Sequence, residues 1–255
     1  MTMVATERAV TAGGASAAEL RAEHLTVRFQ GLAAISDVSL QVERHQVFGL
    51  IGPNGAGKTT LVNCLTGFQR PTEGRVLAGR TDTAGWSPTE FRRNGIARTF
   101  QAGRLFTDMT VVENAEVTGV SLGLSRRAAR VQAMELLDWI GIADKADEHA
   151  SILAYTDQRR LGIARALMLS PAFILLDEPA AGMSDAECED LMVLVASIPT
   201  TFICGVLLIE HNMRVVMGIS DRIHVLDGGR TLAEGTPGEI QRHEAVMAAY
   251  LGLEA

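Results

Sequence analysis

Residues 52–59 have the types and the spacing that chemistry on a triphosphate requires. Gly52-Pro53-Asn54-Gly55-Ala56-Gly57-Lys58-Thr59 reads GxxxxGK[ST] in full. A chain that wraps phosphate oxygens must turn successive backbone N–H groups inward with no side chain in the way, so glycines are needed. The helix that follows points its N-terminus at the negative charge. Lys58 can reach the β- and γ-phosphates, and the Thr59 hydroxyl can ligate Mg²⁺. The candidate nucleotide-binding residues are Gly52, Asn54, Gly55, Ala56, Gly57, Lys58, Thr59 and, next along the helix, Thr60.

Two further places carry matching chemistry. Leu175-Leu176-Asp177-Glu178 ends an apolar run in two carboxylates. Asp177 can hold Mg²⁺ directly or through water, and Glu178 can orient or deprotonate the attacking water. Taken alone, such an ending also describes a solvated strand end. Beside a phosphate loop, the metal and general-base reading takes precedence. His211 follows a second apolar run, where it can stabilise charge near a γ-phosphate.

These groups need elements to position them. Val47 to Ile51 forms a short continuous apolar run, as do residues 173–176 and 206–209, and each suits a strand covered on both faces. The first ends just before the phosphate loop, the second before Asp177 and Glu178, and the third two residues before His211. Ligands in open α/β sheets bind beyond the carboxyl ends of the strands, so the three segments point to one site. Strand patterns also run over residues 24–29 and 38–42, with a turn at Gly31. Helices are expected over about 57–66, with Gly67 as C-cap, and over 127–140, 158–168 and 186–198. Asp227-Gly228-Gly229 marks a hairpin, and one closing helix is expected over 237–250. The fold class is α/β with a mostly parallel sheet.

Composition narrows the function. A chain of 255 residues with 47% apolar content can bury a full core. Its formal net charge of −7 disfavours nucleic acid as a partner, because counterion release rewards basic surfaces. Cys64, Cys188 and Cys204 form no CxxC pair and read as reduced, partly buried thiols. No apolar run approaches the roughly 20 residues that span a bilayer. Residues 1–20 read as a disordered tail without the apolar core of a secretory signal. The expected location is cytoplasmic.

With these residues in place the chain resembles the nucleotide-binding subunits of ABC transporters. It is most similar to the ATPase subunits of branched-chain amino acid importers. The resemblance runs from about residue 25 to 251. It is carried by 49–58 (GLIGPNGAGK), 95–101 (GIARTFQ), 104–106 (RLF), 158–167 (QRRLGIARAL), 176–182 (LDEPAAG), 209–217 (IEHNMRVVM) and 233–237 (AEGTP). It implies an ABC-type nucleotide-binding domain over 21–255: a P-loop NTPase core with an antiparallel β part and an inserted helical lobe at about 87–170. It implies that Phe29 stacks on adenine, that Gln101 senses Mg²⁺ and γ-phosphate, that Asp177 binds the metal, that Glu178 is the general base and that His211 is the switch histidine. The implied cofactors are ATP and Mg²⁺. The implied partners are two multi-span membrane permease subunits, a second ATPase subunit and, indirectly, a substrate-binding protein. The chain would then sit peripherally on the inner face of the membrane.

The family signature Leu-Ser-Gly-Gly-Gln, which contacts the ATP held by the second subunit, reads Leu153-Ala154-Tyr155-Thr156-Asp157 here. Tyr155 is familiar in this branch and Thr156 is not. A β-branched side chain should crowd the backbone approach to the partner's γ-phosphate, which predicts a weaker composite site. His45 replaces a glycine common in a turn. A soluble ABC-type ATPase of DNA repair or translation is the alternative class, but such proteins usually carry two nucleotide-binding units or coiled-coil insertions. A P-loop GTPase or kinase would leave the signature-like helix unexplained, and no NKxD guanine-reading motif is present.

Overall fold

The computed structural model describes residues 17–100 and 105–251. The antiparallel part comprises β1 (Glu19–Phe29), β2 (Leu32–Glu43), β4 (Glu73–Ala78) and β5 (Thr81–Asp82), in the spatial order β2-β1-β4-β5. The second sheet comprises β3 (Val47–Ile51), β6 (Ile96–Arg98), β7 (Phe173–Asp177), β8 (Gly205–Ile209), β9 (Arg222–Asp227) and β10 (Arg230–Gly235). Its order is β10-β9-β3-β8-β7-β6, parallel throughout except for the β9–β10 hairpin. β3 and β8 are buried along their whole length, as continuous apolar runs require. Within β3, Gly49 has a packing reason: a Cβ there would lie 2.8 Å from Ser220 Oγ and 2.9 Å from Val216 Cγ1.

The helices are α1 (Lys58–Leu65), α2 (Pro88–Arg93), α3 (Val111–Ser121), α4 (Arg126–Trp139), α5 (Tyr155–Leu167), α6 (Asp185–Phe202), α7 (Met213–Ile219), α8 (Pro237–Gln241) and α9 (Glu244–Leu251). α3, α4 and α5 pack together around Val112, Ala115, Ala129, Ala133, Leu137 and Leu161, all fully buried. This helical layer continues into the sheet through Ile174, Leu176 and Val206.

Several boundaries differ from the sequence expectation. Glu19 and Leu20, assigned to the tail, already lie in β1, and Leu20 is fully buried. The expected helical segment from 87 contains β6, which pairs in parallel with β7, so that stretch belongs to the core sheet. α5 begins at Tyr155 rather than at 158. α6 runs through Pro199 to Phe202, its last turn held by an edge-on contact of Phe202 with Trp139 at 4.8 Å. The closing helix is broken between Gln241 and Glu244. Ile240 and Val246 are both buried in the cluster around Ile51 and Val225. Six residues apart on one straight helix they would point to different faces, so the break lets both reach the core. His45 has φ +66°, the left-handed conformation that makes a glycine common at such a turn.

Candidate functional site

The carboxyl ends of β3, β7 and β8 lie side by side. Leu50 pairs with Ile209, and Ile209 pairs with Asp177. The tertiary fold therefore brings the loop of Lys58, the Asp177–Glu178 pair and His211 to one edge, as the sequence pattern implies.

The phosphate loop is shaped by three glycines at positive φ, Gly52 (+155°), Gly55 (+82°) and Gly57 (+99°). A Cβ on Gly55 would meet nothing within 4 Å, whereas one on Gly57 would meet Ile35 Cγ2 at 2.6 Å and Ala34 O at 2.8 Å. The loop is thus braced by β2 on one side and open on the other. Gly52 is confined too, since a Cβ there would lie 2.2 Å from Leu226 O. Lys58 Nζ donates to Gly52 O at 2.6 Å and to Pro53 O at 3.0 Å, curling under the loop. Burial pulls its pKa below the ordinary lysine value, and the Glu178 and Asp177 carboxylates offset part of this.

Helix caps make a second mark. α2, α3, α4, α6, α7 and α8 all begin with a Ser, Thr or Asn whose side chain accepts from the first turn. α1 and α5 begin at Gly57 and Ala154, which supply no capping side chain. Their first-turn N–H groups face the condition in which an anion is the natural partner. These two helices carry the phosphate loop and the altered signature.

Around the acidic pair the structure adds residues that sequence reasoning did not single out. Arg98, on β6, donates to Asp177 Oδ2 at 2.7 Å and to Asn63 Oδ1 at 2.6 Å. Its guanidinium lies 5.1 Å from the centre of the Phe100 ring and 5.9 Å from that of Phe68. Asp177 N donates to Thr99 Oγ1 at 3.2 Å. Arg98 and Thr99 sit inside the 95–101 segment that carried the resemblance, but only strand pairing reveals their partners. Glu178 has a left-handed backbone (φ +47°), and its N–H donates to Ile209 O at 2.9 Å. His211 Nδ1 lies 3.9 Å from Glu178 Oε1, with its ring largely exposed. The buried Glu210 is adjacent, its Oε2 also 3.9 Å from His211 Nδ1.

Phe29 ends β1 with its ring half exposed, whereas Val27 on the same strand is fully buried. A core role for Phe29 is thereby ruled out, and the ring is available for stacking. Thr59 and Thr60 lie in the first turn of α1. Gln101, expected to sense metal and γ-phosphate, lies outside the described residues, as does Arg104. In the signature, Ala154 is the N-cap and Tyr155, Thr156 and Asp157 form the first turn of α5. The Thr156 hydroxyl donates to Glu187 Oε1 at 3.2 Å, and Asp157 pairs with Lys145. Arg159 stacks on the Tyr155 ring at 4.7 Å. The three cysteines are buried and free, and burial pushes the Cys64 and Cys204 thiols up to about 12. They are inert structural thiols.

A phosphate loop opening a helix, an acidic pair at a neighbouring strand end and a histidine beyond the next strand define a P-loop nucleotide triphosphatase of the cassette type. The family model described as "ABC transporter" matches residues 35–181, and "Branched-chain amino acid ATP-binding cassette transporter" matches residues 230–255. The chain is 45% identical over 243 residues to the high-affinity branched-chain amino acid transport ATP-binding protein LivG of Salmonella typhimurium, covering 89% of this chain and 95% of that one. It is 44% identical over 248 residues to BraF of Pseudomonas aeruginosa, which bears the same description, covering 91% and 97%. Among solved structures it resembles the ADP conformation of an ATP-binding cassette of an ABC transporter, with a TM-score of 0.83 and 30% identity over 91% of this chain and 98% of that one. It also resembles a dimeric cassette in a post-hydrolysis state bound to ADP and Pi, with a TM-score of 0.76 and 25% identity over 86% and 98%. The chain belongs to the ABC transporter family of ATP-binding proteins, and it is an ATPase. Its relatives within the family include the branched-chain amino acid transport ATP-binding proteins.

Proposed function

We propose that this chain is the ATP-hydrolysing subunit of an importer for branched-chain or related amino acids. In this reading it docks on two multi-span permease subunits, works with a second ATPase subunit and serves a substrate-binding protein indirectly. Among the described residues no helix is long and apolar enough to cross a membrane, so attachment to the inner face would come through the permeases. The observation that carries the reading is the convergence of Lys58, Asp177, Glu178 and His211 at adjacent strand ends, joined to relatives that are similar along nearly their whole length.

Each residue has a task. Backbone N–H groups of Gly55, Ala56 and Gly57 and the start of α1 hold the phosphates, while Gly52 and Asn54 shape the entry to the loop. Lys58 exchanges its two loop carbonyls for phosphate oxygens. Thr59 and Asp177 supply the oxygen donors that suit Mg²⁺, with Gln101 as a third, and Thr60 continues the turn. Bound there, Mg²⁺ would neutralise charge on the β- and γ-oxygens. Glu178 takes the proton of the attacking water, and His211 steadies the charge that develops. Phe29 offers its exposed ring to adenine. The uncapped start of α5 meets the nucleotide held by the second subunit. ATP bound across both subunits favours the closed pair, which is how binding moves the permeases. Thr156 departs from the glycine of the signature, and this supports a weaker composite site and a second ATPase subunit that differs from this chain.

The test compares Lys58→Ala and Glu178→Gln in the purified full chain. The first should weaken binding of a fluorescent ATP analogue by ~10-fold or more, the scale of a lost charge-assisted hydrogen bond or two. The second should bind as wild type and lose ~100-fold or more in turnover. Normal turnover in Glu178→Gln would remove the general base from the reading.

A further inference from the structure

Glu210 is a carboxylate in an unusual place. It follows β8 directly, its side chain has no exposure at all, and among the described residues no guanidinium or ammonium pairs with it, the His211 imidazole lying 3.9 Å from Oε2 through Nδ1. Its partners are backbone amides. Oε1 accepts from Ala180 N at 2.7 Å, two residues beyond Glu178. Oε2 accepts from His211 N at 3.1 Å and from Asn212 N at 3.4 Å. Pro179, between Glu178 and Ala180, has no N–H to offer, so Ala180 is the first amide donor after the general base. Asn212 in turn caps α7, its Oδ1 accepting from Arg214 N and Val215 N. One buried side chain therefore joins two loops that the chain separates by some thirty residues.

We propose that Glu210 is a positioning residue for ATP hydrolysis, its two carboxylate oxygens clamping the loop of Glu178 to the loop of His211 so that the two groups face the same reacting atoms. The inference rests on the roles assigned above to Glu178 and His211. The chemistry explains why a carboxylate is needed. Both ends of the side chain meet N–H donors, and only an ionised carboxylate is acceptor-only on both oxygens. A glutamine of the same size must turn its NH₂ toward one of those donors, which releases one loop or the other. Burial pushes the Glu210 carboxyl up from its ordinary range, and the amides of Ala180, Asn212 and His211 pull it back. A buried group with that desolvation cost is retained where its bonds fix a geometry. The 3.9 Å separation of His211 Nδ1 from Glu178 Oε1 is the geometry it fixes.

Steady-state ATPase and nucleotide binding of the full chain, with E178Q alongside, test this. E210Q should lower kcat ~10- to 100-fold, the scale of a displacement of about an ångström in a catalytic group. KM and the affinity for the fluorescent analogue should stay within about twofold, because the hydrogen bonds of Glu210 go to Ala180, His211 and Asn212 and those of Lys58 to Gly52 and Pro53. E210D keeps two acceptor oxygens on a shorter stem and should fall between wild type and E210Q. A role in filling space would reverse that order, because glutamine is the isosteric replacement. Should E210Q fail to fold, the same kcat-against-KM split is read in E210D. Wild-type kcat in a folded E210Q, or in E210D if E210Q does not fold, overturns the proposal, as does a ranking of Gln above Asp. If E178Q itself keeps turnover, the underlying assignment fails instead, and the two outcomes are distinct.

Discussion

Replacing Arg98 with methionine should cost this protein several degrees of thermal stability while leaving every catalytic candidate in place. The Arg98 side chain is 8% exposed and the Asp177 side chain 16% exposed, and their charged groups meet at 2.7 Å. Removing one partner of a buried ion pair costs about 3–5 kcal/mol, because the other charge is left without compensation. Asp177 keeps a solvent-facing edge and its amide bond to Thr99, so the cost falls below that range, to about 2–3 kcal/mol. For a chain of this size that corresponds to a fall in Tm of roughly 5–10 °C. Asn63 also loses a donor, and the stack on Phe100 loses its cation. The pairing itself is isolated by a cycle of R98M, D177N and the double variant. The double variant should be more stable than the sum of the singles by about 1 kcal/mol or more. Mg–ATP should raise the Tm of R98M by more than that of wild type, since bound metal would return positive charge to Asp177. The assay is thermal unfolding followed by circular dichroism, with and without nucleotide. Strict additivity in the cycle, or an R98M variant melting within about 2 °C of wild type, would refute the claim that Arg98 carries the neutralisation of Asp177.

Other expectations follow from the same geometry. Thr156→Gly should raise ATPase in the assembled complex by opening the approach to the partner's nucleotide, at a small cost in stability from the lost bond to Glu187; unchanged or lower activity counts against the crowding argument. Gly57→Ala should lose nucleotide binding and melt earlier, because φ is +99° and the new methyl would press on Ile35 and Ala34 O; a wild-type melting curve would contradict it. The Glu239 carboxyl is held below its ordinary value of 4.5 by the Thr236 amide and hydroxyl that it caps. A depressed carboxylate contributes stability above its unfolded value and loses it as pH falls through the folded one. The advantage of wild type over Glu239→Gln in urea midpoint should therefore be present at pH 7 and shrink below about 4.5; a gap independent of pH would exclude the charged cap.

The sequence alone determined the local chemistry. The glycines at 55 and 57, Lys58, the carboxylate pair after an apolar run and His211 after another were readable because each depends on short-range rules of backbone freedom, strand burial and residue type. The three buried strands and the helices at 58–65 and 126–139 were readable for the same reason. Tertiary structure decided what sequence periodicity cannot encode. β6 is three residues long and is a strand only because β7 lies beside it. The ion pair of Arg98 with Asp177 joins positions 79 apart in the chain. The break between α8 and α9 answers to a shared core that forms only when Ile240 and Val246 both join the cluster that holds Ile51 and Val225. Glu210 reads as an ordinary acid beside a histidine until its two oxygens are seen to meet amides from two loops. Local patterning fixes which groups exist and at which strand ends, because its rules act within a few residues. Partners set across the sheet depend on register and packing, and those arise only in the folded chain.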